Sequence, residues 1–108
     1  MYQQFKAKAS QQGESNIGLV IHQNEPGLSQ FVRESAGQYR STLPAGATLE
    51  QDNFLYLITN GQTAGRVTAY VDDSTIVIAS YNASGELSDD IINNATLSFE
   101  LLLSWINY

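Results

Sequence analysis

The chain has 108 residues, a formal net charge of −6 and no cysteine, so disulfide bonds and thiol chemistry are excluded. Its hydrophobic content of 43% is typical of a folded protein, and we take residues 1–108 as a single domain. The sequence contains no run of about 18 apolar residues, so it predicts no membrane-spanning helix. The N-terminal segment MYQQFKAKAS lacks the apolar stretch of a secretory signal, so a cytoplasmic location is favoured.

The charge is unevenly distributed along the chain. Residues 1–49 carry four basic and three acidic side chains, a net charge of +1, whereas residues 50–108 carry one basic and eight acidic side chains, a net charge of −7. A phosphate backbone would be repelled by the second half, so nucleic acid is not an expected partner. An acidic surface suits a basic protein partner instead.

The first elements of the chain are predicted to be strands. In FKAKAS, apolar Phe5, Ala7 and Ala9 alternate with polar residues, which predicts a strand with one face in solvent. A helix that ends at Gly13 is the alternative for this segment. The run IGLVIHQ, residues 17–23, predicts a buried strand, and the two strands together predict a hairpin.

The segment from Leu28 to Leu43 has apolar residues at spacings of three and four, which predicts a helix with one apolar stripe. Pro44 ends this helix, because the residue before a proline is pushed out of helical geometry. Gly37 costs a helix about 1 kcal/mol relative to alanine.

Three further strands follow in the predicted order. The continuous apolar run NFLYLIT, residues 53–59, predicts a central strand that is covered on both faces. The pair Asn60–Gly61 predicts a hairpin turn. RVTAYV, residues 66–71, and TIVIASY, residues 75–81, predict two more strands.

The last segment is predicted to be a helix that begins at Ser88 and ends near Ile106. Ser88 is a suitable N-cap, and Asp89 and Asp90 in the first turn complement the helix dipole. The element order is then β-β-α-β-β-β-α. This order predicts an α+β fold, an antiparallel sheet with two helices packed on one face.

The final helix would have apolar residues on two opposite sides, since successive residues turn by about 100°. One side faces the sheet. The other side, if it is uncovered, is predicted to be a partner-binding surface, because contiguous exposed apolar patches mark interaction sites. That second stripe consists of Leu97, Leu101, Trp105 and Tyr108.

Several alternatives remain for the second stripe. Another part of the chain covers it, a second copy covers it in a homodimer, or it holds a segment of a different protein. SFELLLSWINY is also consistent with a terminal strand in which alternate residues are apolar, namely Phe99, Leu101, Leu103 and Trp105.

The residues give little sign of catalysis, so we predict that the protein is not an enzyme and has no cofactor. His22 is the only histidine, and no nucleophile or carboxylate stands at a recognisable spacing from it. A zinc site needs several His or Cys ligands, so no metal site is expected. The carboxylate groupings, Asp72–Asp73 and Glu86 with Asp89 and Asp90, are interpreted as turn and cap residues.

The element order resembles that of a known family. The strand NIGLVIHQN, the segment LSQFVRESAGQYRSTLP, three strands and a closing helix resemble the PsbP/DcrB-like fold over residues 16–103. Within that fold, the chain is most similar to small chaperones of type VI secretion effectors. The similarity includes the Phe31–Val32 start of the helix and the Leu43–Pro44 turn. The resemblance implies a bacterial secretion effector as the client.

The sequence therefore predicts a non-enzymatic protein-binding module. It would be an adaptor or chaperone that holds an apolar or basic segment of a protein partner. The first alternative is an acidic inhibitor or immunity-type protein that uses Asp72 and Asp73 to plug a basic toxin site. The second alternative is a small-ligand-binding domain.

Overall fold

The computed structural model describes residues 2–49, 54–55, 65–72 and 75–105. These residues form two antiparallel β-sheets and contain no helix, so the protein has an all-β fold and the predicted α+β fold is wrong. It follows that the described part has no helix long and apolar enough to cross a membrane.

Nine strands are found among the described residues. The first sheet has the order β2-β1-β9-β5 and the second has the order β3-β4-β8-β7-β6. The strands are β1 (Tyr2–Ser10), β2 (Gly18–Asn24), β3 (Val32–Ser35), β4 (Gln38–Thr42), β5 (Ala47–Leu49), β6 (Phe54–Leu55), β7 (Arg66–Asp72), β8 (Thr75–Tyr81) and β9 (Ala95–Trp105).

The predicted helix from Leu28 to Leu43 is replaced by a loop and the β3–β4 hairpin. Gly37 decides the local structure, because it has a φ of +73° in the hairpin turn. A β-carbon at this position would lie 2.6 Å from the carbonyl oxygen of Ser80 and from the backbone nitrogen of Ser88. The glycine that would weaken a helix is thus the residue that permits a tight turn.

The predicted final helix is also wrong, because its segment forms a loop and the long strand β9. Asp90 and Asn94 have positive φ angles of 66° and 49°, which are not helical. From Ala95 onward the buried residues recur at every second position, as the strand alternative predicts. These residues are Ala95, Leu97, Phe99, Leu101 and Leu103.

Four strand predictions are confirmed by β1, β2, β7 and β8, and β1 pairs with β2 as the predicted hairpin. The prediction that β2 is buried is wrong, since most of its residues are exposed. The predicted central strand, residues 53–59, is described only at Phe54–Leu55, and the Asn60–Gly61 turn lies outside the described residues.

The core lies between the inner faces of the two sheets. Phe5 of β1 stacks on Phe99 of β9 with ring centroids 4.9 Å apart, and its edge meets Phe31 at 6.1 Å. The second sheet contributes apolar side chains from Tyr39 and from β8. Burial of such side chains contributes about 1.5–3 kcal/mol each, so this core cluster, which contains residues of both sheets, stabilises the fold.

Candidate functional site

The structure separates the residues that the sequence assigned to partner binding. Leu97 and Leu101 belong to β9, and both are fully buried, with 0% of their surface exposed. The backbone of Trp105 ends β9, while its side chain lies outside the described part. Tyr108 and Asp73 also lie outside the described residues.

The apolar helix surface therefore has no counterpart, because the stripe that included Leu97 and Leu101 depended on a helix. In a strand, Leu97 and Leu101 point to the same side as Phe99, the core residue between them. Asp72 lies at the end of β7, and its carboxylate is 3.0 Å from Nη2 of Arg40. This ion pair partly neutralises the charge that the inhibitor hypothesis requires.

The exposed large apolar residues lie elsewhere, on two sheet edges and a loop. Val20 and Ile21 are 65% and 50% exposed and adjoin each other in β2. Val32 is 48% exposed in β3, at the edge of the second sheet, and Leu87 is the fourth such residue. Among the strands that the structure describes, β2 alone has two of them at consecutive positions.

Strand β2 is an edge of the first sheet, and β1 is its neighbour. The register pairs Val20 with Lys8 and Ile21 with Ala7, so Val20 lies on the outer face and Ile21 on the core side. A bulge at His22 interrupts the register, because Gln23 pairs with Lys6. The backbone groups on the far side of an edge strand can accept a further strand.

An apolar hollow lies on the core side of β2. We call it the inner hollow, and its volume is about 260 Å³. Asn24 shapes it, because the Asn24 side chain accepts a hydrogen bond from the backbone nitrogen of Leu28 and donates one to the carbonyl of Leu28. The residues that line the inner hollow are Ile17, Gly18, Leu19, Ile21, Leu28, Ser29 and Gln30.

A second hollow, lined by residues with polar groups, lies on the outer face of the first sheet. We call it the outer hollow; it has a volume of about 420 Å³ and is lined by Lys6, Lys8, His22 and Thr96. Among the described residues, neither lysine has a carboxylate within 4.0 Å. The outer hollow thus combines two ammonium groups without an ion-pair partner and one imidazole.

Strand β3, an edge of the second sheet, is linked through Arg33 to Asp89 in the loop before β9. Asp89 accepts hydrogen bonds from the Arg33 guanidinium at 2.7 Å, from the Tyr39 hydroxyl at 2.6 Å and from the Gly37 backbone nitrogen at 3.1 Å. These donors, with Arg33 the strongest, lower the pKa of Asp89 from its ordinary value to about 2. The prediction that Asp89 is a helix-cap residue is therefore wrong.

The part of the chain that the structure describes has no group of three or more His, Cys, Asp or Glu residues placed to hold a metal ion. His22 is exposed in β2, as predicted for a surface histidine, and its neighbours in the outer hollow are lysines and Thr96.

No protein-family model, curated protein or solved structure matches this chain. The resemblance to the PsbP/DcrB-like fold stays untested by these comparisons. Its element order includes two helices, and the two corresponding segments of this chain consist of loops, turns and strands.

The sequence did not reveal the β2 edge as the exposed apolar region. The run GLVI is as apolar as a central strand, and only the polar residues that follow, His22 to Asn24, are typical of an edge. The solvent face of β1 was predicted, and it supplies Lys6 and Lys8 to the outer hollow. What the sequence lacked was the neighbour relation between β1, β2 and β9.

Proposed function

We propose that the protein is a non-enzymatic protein-binding module that takes up an extended segment of a partner along β2. The observation that supports this proposal is an edge strand with two adjacent exposed apolar residues, Val20 and Ile21, and a hollow on each face. Strand addition suits such an edge, because main-chain hydrogen bonds provide affinity and hollows on alternate sides select side chains.

The energetic argument rests on apolar burial. Full burial of a Val or Ile side chain contributes about 1.5–3 kcal/mol. Val20 and Ile21 are 65% and 50% exposed, so an added strand has about half of that contribution to gain from each. The regular part of the ladder runs from Gly18 to Ile21, since the bulge follows it, and the bound segment is therefore short.

The adaptor or chaperone role predicted from the sequence fits this surface, but the surface is β2 instead of a helix. A cytoplasmic location is compatible with this role. The inhibitor alternative gains no support from Asp72, which is paired with Arg40. The ligand-binding alternative gains little from the two hollows, since both are open to solvent.

A selection of displayed random eight-residue peptides tests the proposal. We expect the peptides enriched by the native chain to lose binding at least tenfold to Val20→Glu, which places a negative charge on the docking edge. They should keep binding to Val32→Glu, the matched change on the β3 edge, where the exposed fraction is 48%. Failure to enrich any peptide, or equal loss in both variants, would contradict strand addition at β2.

A further inference from the structure

The two hollows lie on opposite faces of one strand, and this arrangement constrains the sequence that could bind there. Ile21 lines the inner hollow and His22 lines the outer hollow. Successive residues of a bound strand point alternately to the two faces. Each face therefore meets every second side chain of the partner.

The inner face calls for apolar side chains. A residue placed opposite Leu19 or Ile21 would point to the core side, because directly paired residues share a face. There it would adjoin the inner hollow, whose lining includes Ile17 and Leu28. A charged group at this position would lose water without gaining a partner.

The outer face calls for acidic side chains. A residue opposite Val20 points to the outer face, on the side of Lys8, which pairs with Val20. Two strand spacings, about 10 Å between Cα atoms, separate that residue from Lys8, and extended Glu and Lys side chains span this gap. The Glu methylene groups would cover Val20 while its carboxylate reaches the outer hollow.

We infer, resting on the proposed function, that the partner segment alternates apolar and acidic residues, with an acidic residue opposite Val20 and apolar residues opposite Leu19 and Ile21. The charge complementarity with Lys6 and Lys8 favours this occupant over a second copy of the chain. The β2 strand of a second copy reads GLVIHQN and carries no carboxylate to meet the lysines.

The net negative charge of the protein is compatible with an acidic partner, because the two lysines that line the outer hollow lie beside β2 on the neighbouring strand β1. The net charge of −6 opposes the approach of an acidic segment. Of the five acidic residues of the second half that the structure describes, four lie on the second sheet or in the loop between β8 and β9, and Glu100 lies on β9 of the first sheet. Two of those four, Asp72 and Asp89, are paired with Arg40 and Arg33. Binding should therefore depend on the lysines beside β2 rather than on the field of the whole molecule.

The test is a nuclear magnetic resonance titration of the full chain with three capped eight-residue peptides. They alternate Val with Glu, Val with Lys, and Thr with Glu. We expect the Val–Glu peptide to shift the amide signals of Gly18–Asn24. We expect the Val–Lys peptide to bind about tenfold more weakly, as two surface charge pairs change sign, and the Thr–Glu peptide to be weakened similarly.

A charge reversal in the protein provides the matched control. Lys8→Glu should reverse the preference between the Val–Glu and Val–Lys peptides. Arg66→Glu makes the same charge change on β7, where the guanidinium lies over the Tyr81 ring, and should leave the preference unchanged. A preference that is unchanged in Lys8→Glu would overturn the inference.

The outcomes separate the two proposals. Equal binding of the Val–Glu and Val–Lys peptides at β2 would overturn the acidic partner while strand addition survives. No amide shift in β2 with any peptide would overturn both. A native chain that sediments as a dimer, and becomes a monomer in Val20→Lys, would identify a second copy as the occupant and would also overturn the inference.

Discussion

The two edge strands that carry exposed large apolar residues, β2 and β3, differ in how they are protected. β3 has four residues, contains a register irregularity between Arg33 and Ser35, and is linked through Arg33 to Asp89. β2 has seven residues and contains no Asp, Glu, Lys or Arg. Both present apolar side chains, but β2 presents two adjacent ones.

Edges of native sheets are commonly protected by short length, charge and irregular pairing, because an open edge invites another strand. β3 has all three protections, whereas β2 has only the bulge at His22. The lysines beside β2 stand on β1, one strand further in, where they leave the edge itself open. This difference supports β2 as the binding edge and β3 as a structural edge.

The largest loss of stability is expected from Gly37→Ala, which would disrupt the turn between β3 and β4. The new β-carbon would lie 2.6 Å from backbone atoms of Ser80 and Ser88, at a φ of +73°. We expect a loss of about 3 kcal/mol in the free energy of unfolding, measured by urea denaturation.

Gly13→Ala is the control for that change. Gly13 has a φ of +57°, and a β-carbon there would meet no atom within 4 Å. Its cost should be about 1 kcal/mol, from the left-handed conformation alone. Equal losses in the two variants would show that the close packing of the β3–β4 turn does not stabilise the fold.

A pH-dependent effect is expected from Asp89→Asn, which removes the charge that ties β3 to the loop before β9. The pKa of Asp89 is lowered from 3.8 to about 2, so its ionised form stabilises the fold above pH 4. We expect the variant to lose about 2 kcal/mol at pH 7. The gap between native and variant should shrink as the pH falls from about 4 to about 2, measured by urea denaturation.

Asp72→Asn is the matched control, because its exposed carboxylate also pairs with an arginine, Arg40. Its side chain is 53% exposed, so the pair should contribute less than about 0.5 kcal/mol. A gap for Asp89→Asn that stayed constant from pH 7 to pH 2.5 would mean that its charge does not stabilise the β3 edge.

The smallest effect on stability is expected from Val20→Lys. Since Val20 is largely exposed, the free energy of unfolding should change by less than about 0.5 kcal/mol. Light scattering on warming should show slower aggregation than for the native chain, because a lysine blocks edge pairing. Val32→Lys should leave the aggregation rate unchanged, and a variant Val20→Lys that unfolds would show that β2 is covered.

The sequence predicts strands well where apolar and polar residues alternate, as in β1 and β7. It fails in residues 28–43, because apolar spacings of three and four also arise when a loop, a short strand and a turn follow each other. Gly37 was the one residue in this segment that indicated a turn instead of a helix, and its φ of +73° shows why a glycine is needed there. In β9, Leu102 fills the gap between buried Leu101 and Leu103 and hides the period of two.

The candidate site was less accessible to sequence reasoning than the fold. Exposure of Val20 and Ile21 follows from the position of β2 at a sheet edge, which depends on pairings between distant segments such as β1 with β9. A local pattern cannot distinguish an apolar edge strand from a buried one. The lysines were visible in the sequence, but their position beside that edge was not.

Amide hydrogen exchange at Gly18–Asn24, measured with and without the Val–Glu peptide, tests the central claim most directly. In the free protein, the β2 amides that point away from β1 should exchange fast, while those of the central strand β9 exchange slowly. Saturating peptide should slow the outward β2 amides at least tenfold. Outward amides that are already slow in the free chain, or that stay fast with the peptide, would contradict an open edge that accepts a strand.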